Sequence, residues 1–405
     1  MSKLKVVWLC HLTNREIQDI LKPRKRVKEY APWMFISLKI AEQDSDMELH
    51  IVAPHEYISK EKQFTLRGIH YHFFNPYIPL LGRHWPGFFR WDFISGFHKT
   101  RRKVSNIINK IKPDVIHLFG AENPQYSSGI LPLINKYPTI LTVQGFISHT
   151  YENLDKILET RISIEKQIVK RIPISFYSTK KQASDISQLN PKIELMHNFF
   201  GSYKIEQPTT IPSKKYDLVY FARISKDKGI EDLIHAISKI KSLLPDISLC
   251  VIGGGKYDAF QQLSIELGLS NNIHWIGFLP TREEVWRKAC QCRISVLPTY
   301  HDIIPGTIIE SMFLGLPVIS YATDSIPEIN EKGDVIRLVE KGNVNELSKA
   351  ILEILSDDNV QKKMSKSGIK RAEEMFNPSP KETINEWHKG YKRAINLFNK
   401  KNYLK

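Results

Sequence analysis

No run of apolar residues in this sequence approaches the roughly 18 that a membrane-spanning helix needs, so none is expected. Cysteine is scarce: Cys10, Cys250, Cys290 and Cys292 are the only four. The Cys290-Gln291-Cys292 pair has neither the spacing nor the companion ligands of a zinc knuckle, so reduced, buried thiols are expected. The sequence also lacks a polar low-complexity tract, and it shows no internal repeat with a period of about 20 to 50 residues, which sets aside solenoids and arrays. Its opening residues, MSKLKVVWLCHLTNRE, place a charged turn directly after a short apolar run, where a cleavable signal would continue its apolar core. A cytoplasmic location is expected.

Acidic residues are also in deficit. Against 58 Lys and Arg stand 43 Asp and Glu, leaving a formal charge of +15. That excess calls for an anionic partner such as nucleic acid, lipid headgroups or a phosphorylated substrate. It is concentrated: between Lys60 and Lys110 there are ten Lys or Arg and two acids.

At 405 residues, with 42% hydrophobic and 25% charged residues, the chain is long enough for two packed cores. Short β-rich runs alternate with helical patterns: KVVWLC, ELHIVAP, GIHYHFF, DVIHLF, TILTVQG and ISFYST in the first half. A second series follows: YDLVYFARI, ISLCVIGGG, NIHWIGFL, RISVLPT, PVISYAT and DVIRLVE. Between them NFFGSYKIEQPTTIPSKK loses periodicity and gathers Pro, Thr, Gly and Lys. The reading is α/β, with two Rossmann-like, doubly wound parallel-sheet domains over residues 1–197 and 216–376, a linker over 198–215 and a helical segment over 377–405. Ligand sites in such sheets lie at the carboxyl ends of the strands, so an active site is expected in a cleft between the halves.

The most informative stretch, PTYHDIIPGTIIE, places Asp302 and Glu310 eight residues apart across a strand, loop and helix. With Pro305 in the first helical turn, Gly306, Thr307 and Ile308 would present unpaired N–H groups, and such a helix start attracts a diphosphate. Glu310, about one turn on, could accept two ribose hydroxyls, and Asp302 would lie near a reacting sugar. The competing reading makes Asp302 a helix cap and Glu310 part of a solvated face. A second element, Phe221-Ala222-Arg223-Ile224 with Lys228-Gly229, supplies a planar fork and a mobile point charge that can neutralise a diphosphate. A third, Gly253-Gly254-Gly255-Lys256, lets a ligand approach the backbone, or is simply a tight turn. Asp44-Ser45-Asp46 lies in a charged turn at the amino end of a strand, the wrong end for a ligand site.

Together these elements resemble the retaining glycosyltransferases of glycosyltransferase family 4, which have the GT-B fold of two facing Rossmann-like domains. The resemblance is specific from Tyr216 to Ile329 and diffuse before it. It implies that Arg223 and Lys228 bind the donor phosphates, within Ala222-Arg223-Ile224-Ser225-Lys226-Asp227-Lys228-Gly229, where Ala222 replaces the family's first Gly. It implies that Glu310 holds the ribose, that Asp302 stands for the carboxylate contacting the transferred sugar, and that the base is read near Gly277-Phe278-Leu279. Gln144-Gly145 stands where members often carry a His near that sugar, and the Gly-Gly loop common after the first strand is replaced by CHLTNREIQDIL. No metal and no cofactor are implied. The donor phosphate itself would take the acceptor proton, assisted by Arg223, Lys228 and the helix start.

The expected function is therefore a metal-independent, retaining hexosyltransferase. It would move a hexose or hexosamine from a nucleotide-sugar, a UDP-sugar being the expected donor, to a surface polysaccharide such as capsule or O-antigen, or to a lipid-linked oligosaccharide. A nucleotide-sugar 2-epimerase of the same fold and a non-enzymatic basic protein binding membranes or nucleic acid are the alternatives. Between Phe73 and Lys103, aromatic residues including Tyr77, Trp85, Phe88, Phe89, Trp91 and Phe97 interleave with Arg83, Arg90, Lys99, Arg101 and Arg102. Exposed, this tract suits an anionic membrane surface on the inner face of the cell membrane; packed, its aromatics are core. No nucleic-acid recognition motif accompanies it.

Overall fold

The computed structural model describes residues 3–27, 32–77, 91–143, 145–149, 155–198, 205 and 213–403. The chain forms two compact units, Met1–Ser202 joined by Ser379–Lys405, and Tyr203–Pro378. Among the described residues the first unit holds β1 (Leu4–Leu9), β2 (Met47–Pro54), β3 (Lys62–Leu66), β4 (Ile69–Phe74), β5 (Val115–Phe119), β6 (Thr139–Thr142), β7 (Ile174–Tyr177) and β8 (Glu194–His197). They form one sheet of order β3-β4-β2-β1-β5-β6-β7-β8, parallel except for the β3–β4 pair. Both faces are buried. Val6, Trp8, Cys10, Ile51 and Phe73 pack on one side, while Val7, Leu9, Val52 and Phe74 pack on the other with the helix His98–Ile111. Period-two alternation between two apolar layers is what a helix-covered parallel sheet requires.

Two strands, β3 and β8, were not expected from the sequence. The antiparallel edge strand β3 joins β4 through Arg67 (φ 48°) and Gly68 (φ 79°), the paired left-handed residues of a tight hairpin turn.

The second unit holds β9 (Tyr216–Phe221), β10 (Leu249–Ile252), β11 (Ile273–Gly277), β12 (Cys292–Leu297), β13 (Val318–Tyr321) and β14 (Arg337–Val339). They form an all-parallel sheet of order β11-β10-β9-β12-β13-β14. In chain order that is 3-2-1-4-5-6, the doubly wound arrangement, and its direction reverses between β9 and β12.

The last helix, Pro380–Tyr403, returns to the first unit. Its Tyr391 hydroxyl accepts from Trp8 Nε1 at 2.9 Å and lies 3.1 Å from His117 Nδ1, and Trp387 packs edge-on against Trp8 with ring centroids 5.2 Å apart. Gly390 permits this approach, because an added Cβ would stand 2.3 Å from Phe176 Cζ. All four cysteines are free and buried, and no described helix is long and apolar enough to cross a membrane.

Candidate functional site

At the reversal between β9 and β12 the strands' carboxyl ends diverge, and the loops leaving them supply the candidate residues. After β9 the chain stays extended alongside the end of β10: Ala222 N–H donates to Ile252 O at 3.2 Å and Ile224 N–H to Gly254 O at 3.0 Å. The glycine run makes this approach possible. A Cβ on Gly253 (φ 153°) would stand 1.9 Å from Ala222 O, and one on Gly255 would stand 2.4 Å from Ile224 O. Gly253 thus has a packing role between two loops.

The chain then turns through Lys226–Lys228 to Gly229 (φ 72°), where an added Cβ would stand 1.9 Å from Pro298 O at the end of β12. That contact sets the loop carrying Lys228 against the loop carrying Asp302. Lys228 Nζ and Asp302 Oδ2 form an ion pair with side chains 18% and 23% exposed. Asp302 is held from two further sides: the Thr299 hydroxyl donates to its Oδ2 at 2.8 Å, and its own N–H donates to Asp324 Oδ2 at 2.9 Å. Arg223, more exposed, pairs with Asp227 at 2.6 Å.

The helix Gly306–Phe313 starts four residues after Asp302, with Pro305 as its extended N-cap and no side-chain cap. Asp302 therefore does not cap the helix. Ile308 N–H donates to Pro305 O at 3.0 Å, so the expectation that it is unpaired is corrected: the first turn tightens, leaving Gly306 and Thr307 with no backbone bond among the described residues. The Thr307 hydroxyl donates to Phe221 O at 2.7 Å and ties the helix start to the end of β9. Glu310 is not on a solvated face. It is 6% exposed and paired with Arg282. Burial raises its carboxyl above the ordinary range, opposed by the Arg282 charge and by Trp286.

Gly277 (φ 80°) ends β11 and its carbonyl accepts from Gly253 N–H at 2.9 Å. The next residue, Phe278, is 75% exposed and flanks Gly254. Lys228 and Asp302 are thus brought together, Thr307 is tied to the end of β9, Gly253 joins the residues after β9 to Gly277 at the end of β11, and Glu310 lies one turn into the helix. Gln144 falls outside the described residues.

The first unit has its own hollow at the carboxyl ends of β1, β2 and β4, lined by His11, Thr13, His55, Glu56, Pro76 and Gln125 among others. Thr13 Oγ1 and His55 Nε2 are buried there without a hydrogen-bond partner. Burial and neighbouring His55 push the His11 imidazole down to about 4. Near Tyr126, burial pushes the Glu122 carboxyl up to about 7. Of the aromatic tract, Phe73, Phe74, Tyr77 and Phe97 are core, whereas Trp91 and Ile94 are 50% and 61% exposed; Arg83, Trp85, Phe88, Phe89 and Arg90 fall outside the described residues. Asp44 sits in a turn, accepting from Asp46 N–H at 3.0 Å and lying 2.7 Å from His388 Nε2.

Sequence reasoning missed Arg282, Thr299 and Asp324. Nothing local links Arg282 to Glu310, 28 residues away. Asp324 carries one faint signal, since its left-handed backbone (φ 46°) favours Gly, Asn or Asp after a strand.

Residues 202–371 match the family model described as glycosyl transferases group 1. A poly(glycerol-phosphate) alpha-glucosyltransferase of Bacillus subtilis (strain 168) is 24% identical over 216 residues, covering 50% of this chain and 31% of that relative. The chain thus spans about a third of that relative's length. Among solved structures, the sucrose-phosphate synthase of Thermosynechococcus elongatus superposes with a TM-score of 0.73 at 16% identity, covering 100% of both chains. Anabaena HepE in complex with UDP superposes with a TM-score of 0.66 at 14% identity, over 97% of this chain and 99% of that one. The chain has the GT-B fold, and its match to the group 1 glycosyl transferase model falls over the second unit.

Proposed function

We propose that this protein is a retaining glycosyltransferase that moves a hexose or hexosamine from a UDP-sugar to a saccharide or lipid-linked acceptor in surface polysaccharide synthesis. The observation that carries the reading is the Lys228–Asp302 pair, set at the β9/β12 reversal against the start of the helix Gly306–Phe313. A cation, a carboxylate and unpaired helix N–H groups at one point suit a phosphate bonded to a sugar. The UDP in a neighbour of the same fold supports the choice of nucleotide.

In this reading the donor diphosphate takes the Lys228 ammonium, the Arg223 guanidinium and the Gly306 and Thr307 N–H groups. Asp302, released from Lys228, accepts hydroxyls of the transferred sugar. Glu310, paired with Arg282, accepts ribose hydroxyls, and the exposed Phe278 face beside Gly277 receives the base. The acceptor oxygen bonds to the anomeric carbon as the carbon–phosphate oxygen bond breaks on the same face, and the acceptor proton passes to the leaving phosphate. The charge that grows on that phosphate meets groups already aimed at it, so transfer needs no metal. The unpartnered Thr13 Oγ1 and His55 Nε2 in the first unit's hollow suit acceptor hydroxyls.

The test is nucleotide release from a panel of nucleotide-sugars, with and without oligosaccharide acceptors, followed by NMR of the product's anomeric configuration. Acceptor-dependent UDP release with retention is expected. Nucleotide release with inversion, a new epimer formed without acceptor, or no turnover with any donor would each refute the reading.

A further inference from the structure

In the first unit, β2 and β4 are parallel neighbours with His50 opposite His70. Side chains two apart on a strand share a face. Glu48-Leu49-His50 and His70-Tyr71-His72 therefore aim four polar side chains at one face, while Leu49 and Tyr71 enter the core on the other. The four are close. Glu48, His50 and His70 can each offer a ligand atom within 4.8 Å of the others. His50 Nε2 lies 2.9 Å from Glu48 Oε1, its Nδ1 lies 3.0 Å from His72 Nε2, and the rings of His50 and His70 stack with centroids 4.7 Å apart.

We propose that Glu48, His50 and His70, with His72 as an adjoining or fourth ligand, bind a divalent transition cation of the zinc type. Neutral imidazoles and one carboxylate are the nitrogen and oxygen set that zinc takes, often with water in a further position. Two details point the same way. The Thr65 hydroxyl lies 3.0 Å from His70 Nδ1, the kind of outer oxygen that orients a ligating ring and leaves its other nitrogen available. His72 Nδ1 is buried with no hydrogen-bond partner, a donor atom the protein itself does not satisfy.

The alternative is a hydrogen-bonded array with no ligand, in which Lys5 Nζ, 3.4 Å from Glu48 Oε1, balances the carboxylate. Ligand atoms around tetrahedral zinc sit about 3.4 Å apart, so small side-chain rotations from the present 4.8 Å limit complete the set. Entry is open, because Glu48 is 34% exposed in its side chain. The site lies in the first unit, set back from the carboxyl ends of β2 and β4, and is independent of the donor site. It would clip β4, and the hairpin it forms with β3, to β2.

The experiment is titration of untagged full-length protein with Zn2+, using competition against a chromophoric chelator and thermal melts. One ion per chain is expected, with a rise in melting temperature that saturates at that ratio. His70→Ala and Glu48→Gln, both at partly exposed positions, are expected to weaken binding at least tenfold each and to abolish the rise. If His70→Ala folds poorly, Glu48→Gln decides. No uptake by the wild type, or uptake unchanged in Glu48→Gln, overturns the proposal.

Discussion

The Lys228 ammonium and the Asp302 carboxylate, 74 residues apart in sequence, meet as an ion pair where the second sheet reverses its strand order. Without ligand each neutralises the other in a partly buried place. Asp302 keeps its position through Thr299 and Asp324 whether or not Lys228 stays with it. On the proposed function, a donor phosphate would replace Asp302 as the anion beside Lys228, one anion for another at little desolvation cost.

Glu310→Gln keeps the size of the side chain and removes the charge. A ribose contact is made equally in ground and transition states, so the variant is expected to raise the donor KM about tenfold with kcat nearly unchanged. Steady-state kinetics with varied donor checks this; an unchanged KM with a fallen kcat would move Glu310 to the reacting centre.

Gly229→Ala is expected to destabilise the second unit by at least about 2 kcal/mol, since it strains a left-handed backbone and forces a side chain onto a carbonyl. The contact that would have to give is Pro298 O, 1.9 Å from the new Cβ. Gly268→Ala, also left-handed (φ 69°) but with nothing within 4 Å, is the control and should cost less. Urea unfolding of both variants measures the difference.

Most of the fold was legible because the central strands are dense in β-branched and apolar residues bounded by glycine or proline. All six strands of the second unit coincide with runs such as YDLVYFARI and RISVLPT. The strands that escaped, β3 and β8, are sheet edges: KQFTL alternates half-buried and exposed residues, and ELMH has no fully buried residue. Edge strands need only one paired side, so their apolar signal is weak. The meeting of Lys228 with Asp302 depends on how β9 and β12 come to be neighbours, which strand order decides and local pattern does not. Arg282 was illegible for the same reason. The tight first turn at Ile308 follows from Pro305 acting as cap, a boundary shift of one residue.

Glu122 gives a pH signature. Its carboxyl rises from 4.5 to about 7 on folding, chiefly through burial. The folded state therefore holds the proton more tightly, and the group's contribution is present below pH 4.5 and lost as pH rises through about 7. His11, lowered to about 4, works in the opposite direction between pH 4 and its ordinary 6.5. Comparison with Glu122→Gln isolates the first effect: relative to wild type, the variant should gain stability between pH 5 and pH 8, on the order of 3 kcal/mol. Parallel melting curves across that range would show that Glu122 does not titrate there.

Membrane contact is expected through the basic region between Lys60 and Lys110, where Trp91, Ile94, Lys60 and Arg102 are exposed. Vesicles containing anionic lipid should bind the protein, neutral vesicles should not, and added salt should weaken the binding. Charge reversal at Lys60 and Arg102 is expected to reduce it severalfold in a flotation assay. Binding unchanged by reversal would place the contact elsewhere.

The central claim is that Lys228 and its surroundings receive the leaving phosphate. The direct measurement is donor turnover and donor affinity in wild type and in folded Lys228→Ala and Arg223→Ala, by UDP release and thermal shift with UDP-sugar. Charge grows on that phosphate in the transition state, so each substitution should lower kcat more than it weakens donor binding. Losses of tenfold to a thousandfold are expected for Lys228→Ala, about 1.4 kcal/mol per tenfold. Turnover and affinity both near wild type in the two variants would contradict the account.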